Sequence, residues 1–289
     1  MTLIAVLISL GLEHYVGSLD HIRQFSWFER YSRWLELKCG RLGYWDGPLG
    51  VIITLLFPLL VLLLAAELLG RVSIVLVFVL SIAVFLYCLG PDLNSWLSRY
   101  IESLQEHDEA TRAGMEQSLL GADAAAESVD KNRIISAFLL RSHEHFFAIL
   151  FWFIVLGMAG ALLYRLVLRL YDVYGDIHGG FAQAVRNLRA IMMWPSARLL
   201  ALSFGVSGSL VHAVEAWRGV AGPSLDCSDD IIVSSGCGAL QYEVEEYGED
   251  EDWHEVYINW LSETRGLLNR TLIVWLTVLG IMTIGGYLV

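Results

Sequence analysis

Phe146 to Asp172, FFAILFWFIVLGMAGALLYRLVLRLYD, constrains this chain more than any other stretch. From Phe146 to Tyr164 it carries no charge, a length close to the roughly 20 residues that cross a bilayer core. Backbone in hydrocarbon must satisfy its own hydrogen bonds, so the run predicts a transmembrane α-helix. Arg165 and Arg169, four apart, end it on one helix face. Gly157 and Gly160, three apart, let another helix approach closely. With Trp152 they predict a span packed at the centre of a bundle.

Composition agrees with a membrane protein. The chain has 289 residues, 56% of them hydrophobic and only 17% charged. The net charge of −12 argues against nucleic acid as a partner, because phosphate binding needs concentrated Lys and Arg. There is no P-loop, no HExxH and no CxxC pair, and Cys39, Cys88, Cys227 and Cys237 have no zinc spacing. No metal and no cofactor are expected, and no cleavable signal peptide.

Residues 1–47 read as an N-terminal interfacial segment. Thr2 to Leu12 is apolar but too short to span. Arg23, Arg30, Arg33, Lys38 and Arg41 then alternate with Phe25, Trp27, Phe28, Tyr31 and Trp34, as suits a membrane surface. Residues 48–90 form a transmembrane hairpin with spans near 49–69 and 72–89, turning at Gly70-Arg71. Residues 91–145 are a polar two-helix insertion. Leu93, Trp96, Leu97, Tyr100, Ile101 and Leu104 make one apolar stripe, with Asp92 as N-cap. The break falls at Gly121-Ala122-Asp123. His143-Glu144-His145 stands at the membrane edge; His at i and i+2 point to different helix faces, so headgroup contact is favoured over metal.

The central transmembrane helix, 146–172, follows. Residues 173–218 are interfacial or re-entrant helices carrying Trp194-Pro195-Ser196-Ala197-Arg198-Leu199; whether 199–214 crosses is left open by hydropathy. Residues 219–270 form an acidic loop without Lys or Arg until Arg265. Residues 271–289 are the last span. The fold class is therefore all-α, a polytopic membrane bundle of about four transmembrane helices. Five Lys/Arg in each of 14–47 and 91–145 place both segments in the cytoplasm. Three crossings then put 173–270 outside unless 199–214 also spans; on the outside Cys227 and Cys237 can form a disulfide.

Leu150-Phe151-Trp152, Gly160-Ala161-Leu162-Leu163-Tyr164-Arg165 and Pro195-Ser196-Ala197-Arg198-Leu199 together resemble the CobD/AmpE family of bacterial inner-membrane proteins. The likeness runs from Gly90-Pro91 to about Gly208. It implies one of two roles. The CobD branch joins an amine to a corrinoid carboxylate with a nucleotide and a divalent metal. The AmpE branch is associated with β-lactamase induction and has no established catalytic activity. Departures favour the AmpE branch. The synthase Gly-Arg-Asp-Thr motif is Gly121-Ala122-Asp123-Ala124 here. Its Glu-Asn pair falls on Leu140 and Arg141, its Asn and Asp after Tyr-Arg on Leu168 and Tyr171, and its paired Asp on Leu188 and Arg189.

The resemblance thus implies a non-catalytic regulatory or accessory protein of the inner membrane, with another inner-membrane protein as partner. Its alternatives are a subunit of a larger membrane complex, or an amide-forming enzyme. In the enzyme, Arg165 and Arg198 would hold an anionic group, and Asp123 and Asp172 a metal.

Overall fold

The computed structural model describes residues 2–16, 23, 25–40, 45–120, 131–220, 227–241 and 251–286. Every regular element among them is helical. In chain order these are α1 (Thr2–Val16), α2 (Ser26–Cys39), α3 (Pro48–Val72), α4 (Ile74–Cys88), α5 (Leu93–Gln105), α6 (Glu109–Leu120), α7 (Lys131–Ser142), a π-helical turn (His143–Phe147), α8 (Ala148–Tyr174), α9 (Gly180–Ser207), α10 (Leu210–Val220), α11 (Ser228–Leu240) and α12 (Glu251–Ile284). Five helical stretches are long and apolar enough to cross a membrane: Pro48–Val72, Ile74–Gln105, Asn132–Tyr174, Gly180–Ser207 and Glu255–Ile284. The chain is a multi-pass α-helical membrane protein in class. It divides into two compact units, each described by itself.

The first unit comprises Met1–Pro91, Glu144–Ser196 and Leu279–Val289. Pro48 opens α3 at a position where its missing N–H costs nothing. The α3–α4 turn falls at Ser73, not at Gly70-Arg71. Ser73 is extended (φ −164°, ψ 136°), and its hydroxyl accepts from the Val75 N–H at 3.2 Å, starting α4. α2 buries Phe28, Ser32 and Leu35 and exposes Trp27 and Trp34, the amphipathic face expected of an interfacial helix. Asp46 Oδ1 accepts from the Phe181 N–H at 2.7 Å and so caps the start of α9 from 135 positions away in sequence.

The central run is where the structure departs most from expectation. It is not one straight span. Gly157 has φ 64° and ψ −154°, non-helical values inside α8. The His145 and Arg165 side chains meet at 2.7 Å, although they are 20 residues apart. A straight helix would separate those positions by about 30 Å. The chain therefore reverses at Gly157, giving two antiparallel arms. A Cβ at Gly160 would lie 2.3 Å from the Trp152 carbonyl oxygen and 2.6 Å from Leu156 Cβ. The close approach that this glycine allows is thus to its own preceding arm. Gly157 itself has open space around it and works through its backbone angles.

The second unit comprises Asp92–His143 and Ala197–Val278. Asp92 caps α5 by accepting from the Asn94 and Ser95 N–H groups at 3.0 and 3.3 Å. The α5–α6 break comes at His107 (φ 58°), earlier than the Gly121-Ala122-Asp123 break, which lies outside the described residues. Asp108 then caps α6, taking the Thr111 N–H at 3.1 Å and its hydroxyl at 2.5 Å. α5 and α6 are tied by the Tyr100 hydroxyl donating to Glu116 at 2.7 Å.

α10 and α11 form a tight hairpin. A Cβ at Gly208 would lie 2.5 Å from the Ala239 carbonyl oxygen, and one at Gly238 would lie 2.6 Å from that of His212. α12 begins far ahead of the expected span at 271, and α11 also lies in what reads as an acidic loop. Tyr257, Leu261, Thr264, Leu268, Thr271 and Trp275 form one buried stripe, while Glu255 and Glu263 lie off it. Glu255 and Glu263 thus sit on a helix face instead of excluding a helix. Pro195 lies within α9, so the Trp-Pro stretch continues a helix instead of ending one.

A buried arginine–carboxylate centre

The first unit gathers four arginines from three separate parts of the sequence. Arg23 precedes α2 and is buried; it pairs with Glu13 of α1 at 2.7 Å. It also donates to the carbonyls of Leu86, at 3.1 Å, and Gly90. Gly90 donates its N–H to the His145 carbonyl at 3.0 Å. A Cβ there would lie 2.3 Å from His145 Cβ, so only glycine lets the end of α4 meet the π turn this closely. The π turn alters the helical register locally and turns Glu144 inward. Glu144 and His143 are both buried, which overturns the expected headgroup contact for them. Glu144 Oε1 accepts from Arg189 Nη2 of α9 at 2.8 Å. The Arg189 guanidinium lies 4.4 Å from the centre of the Tyr171 ring.

Arg165 is buried on the second arm of α8. Its Nη1 donates to His145 Nδ1, which fixes that nitrogen as the acceptor, because a guanidinium has no lone pair to offer. Its Cζ lies 5.5 Å from the Phe25 ring centroid, and that of Arg169 lies 5.6 Å from the same ring. Arg169 Nη1 donates to Asp172 Oδ2 at 3.2 Å. Arg165 Nε and Arg169 Nε are both buried without a hydrogen-bond acceptor.

Of the residues expected from sequence, two fall in the first unit. Arg165 and Asp172 share the second arm, but the carboxylate of Asp172 is exposed and faces Arg169. Arg198 belongs to the second unit. Asp123 lies outside the described residues. Trp152 donates its indole N–H to the Met192 carbonyl at 3.1 Å, joining the first arm to α9. Cys227 and Cys237 do not form the expected disulfide. Ten residues of helix separate them by about 15 Å, far beyond bridging distance. Burial pushes the Cys237 thiol up to about 11. Among the described residues, no three His, Cys, Asp or Glu side chains come together as a metal site.

Sequence reasoning missed Glu13, Arg23, Glu144, His145 and Arg189. The usable signal was charge placed against long apolar runs, since buried charges in such proteins face one another.

An α-helical protein of several spans with a buried ionic centre in one unit is the class this structure defines. Within that class, two curated proteins are similar. The cobalamin biosynthesis protein CobD of Stutzerimonas stutzeri (strain A1501) is 32% identical over 123 residues, covering 41% of this chain and 37% of that protein. The cobalamin biosynthesis protein CobD of Chromobacterium violaceum is 32% identical over 111 residues, covering 37% of this chain and 35% of the relative. The alignments span little more than a third of either relative. Over that part the chain is similar to these two proteins. No family model matches it, and no solved structure matches it.

Proposed function

We propose that this is a CobD-like protein of the bacterial inner membrane with a regulatory or accessory role of the AmpE type, linked to β-lactamase induction and cell-wall recycling. One observation carries the reading. Tyr171 and Arg189 stand where the resemblance places carboxylates of the synthase branch, and here they meet as a guanidinium over a phenol ring at 4.4 Å. The carboxylate beside them, Glu144, is held by Arg189. A set of acids suited to a divalent cation is replaced by a basic centre. The protein then acts by presenting a surface to a partner in the same membrane.

The second reading is a nucleotide- and Mg²⁺-dependent amide-forming enzyme. The names of both curated relatives favour it. Purified protein incubated with a nucleotide, Mg²⁺, an amine and a corrinoid carboxylate separates the two. No amide above the uncatalysed background, together with co-purification of an inner-membrane partner in mild detergent, is the expected result. Turnover that depends on metal and nucleotide would sink the accessory reading.

A further inference from the structure

Arg165 is a buried arginine of the first unit that makes no direct ion pair among the described residues; Asp172, the carboxylate that acts on it electrostatically, is bonded to Arg169. Arg23 faces Glu13, Arg189 faces Glu144 and Arg169 faces Asp172. The hydrogen bond of Arg165 goes instead to an imidazole nitrogen, and its guanidinium lies against the Phe25 ring. The residue is 3% exposed, and its Nε donor has no acceptor. A guanidinium taken out of water without an anion is strongly disfavoured. Arg169, one helical turn further on, also directs a buried, acceptor-free Nε inward. Two guanidiniums on successive turns of one helix face offer forked donors that match an oxyanion.

We infer that Arg165 and Arg169 form a binding site for a phosphate group. The group accepts from the two Nε donors and gives Arg165 a directly bonded anion, while Asp172 keeps its bond to Arg169. Access runs along Arg169, whose side chain is 29% exposed. Phe25, lying against both guanidiniums, closes the site. Phe25 leads directly into α2, which shows Trp27 and Trp34 outward and places Lys38 over the Trp34 ring at 4.6 Å. Exposed Trp and Lys on an amphipathic helix belong at the headgroup level of a bilayer. The phosphate of an anionic lipid and that of a soluble phosphate ester share this chemistry, and both reach that level. The site stands independently of whether the protein turns over a substrate.

The test uses the full chain in nanodiscs of phosphatidylcholine alone and of phosphatidylcholine with phosphatidylglycerol, each melted with and without inorganic phosphate. The expected result is a rise in melting temperature with phosphatidylglycerol or with phosphate. Arg165→Gln and Arg169→Gln should each weaken the apparent affinity by about tenfold or more. A rise with phosphatidylglycerol alone assigns the site to a lipid; a rise with phosphate in the neutral disc assigns it to a soluble ligand. Arg169→Gln, at the more exposed position, carries the test if Arg165→Gln does not fold. No shift with either probe, or equal shifts in wild type and Arg169→Gln, overturns the inference.

Discussion

Replacing Gly157 with alanine tests the reversal of the central run directly. Its angles, φ 64° and ψ −154°, lie in a region that is essentially restricted to glycine. No atom lies within 4 Å of the added Cβ, so the substitution introduces backbone strain and no clash. The expected cost is about 1–3 kcal/mol. For a chain of this size each kcal/mol moves the melting temperature by about 2–4 °C. Gly114 provides the internal control. It lies within α6, also with open space at its Cβ, and Gly114→Ala should stabilise by about 0.5–1 kcal/mol. Melting of purified protein in detergent, followed by tryptophan fluorescence, reads both. A cysteine pair at positions 145 and 165, with native cysteines removed, adds a geometric check. A short bis-maleimide should join the pair, since a straight helix would hold the positions about 30 Å apart. If Gly157→Ala melts no lower than wild type and the pair resists cross-linking, the two-arm structure is wrong.

Four further outcomes follow from the same contacts. Glu144→Met should cost about 3–5 kcal/mol by removing the carboxylate to which the buried Arg189 donates, whereas Glu144→Met with Arg189→Met should recover most of the loss; chemical denaturation of the set reads the coupling. Gly160→Ala should destabilise by sterics, because its Cβ meets the Trp152 carbonyl, and proteolysis near the turn should accelerate. Asp108 is held below the usual carboxylate range first by the Thr111 hydroxyl and then by the Thr111 N–H. Its contribution is therefore present above the unfolded value of about 3.9 and lost as pH falls through the lower folded value. The protection of the Thr111 amide relative to its intrinsic exchange rate should fall in that acid window, and this fall should be absent in Asp108→Asn. The Cys237 thiol, buried and raised to about 11, is protonated at neutral pH and should resist a maleimide until the protein is unfolded.

The sequence by itself determined the class and many helix boundaries. Long apolar runs such as 49–69, whose one charge is Glu67, and 72–89 leave helices as the structures that satisfy their own backbone in lipid, and α3 and α4 follow. Asp92 was legible as a cap because capping depends on residues two and three positions away. Ser73 has the same local chemistry, yet the more conspicuous Gly70-Arg71 drew the turn away from it.

The centre was not legible in the same way. Glu144 and Arg189 are 45 positions apart, and Gly90 and His145 meet only because neither side chain nor backbone excludes the other. Periodicity records which face of a helix is apolar, not which distant face it meets. It treats Gly157 as a small residue within a span, where glycine is common. Whether that glycine continues the helix or reverses it depends on what the two arms gain by pairing: Trp152 against Gly160, His145 with Arg165. That gain exists only in the tertiary structure, because each partner lies beyond the reach of any local window of sequence.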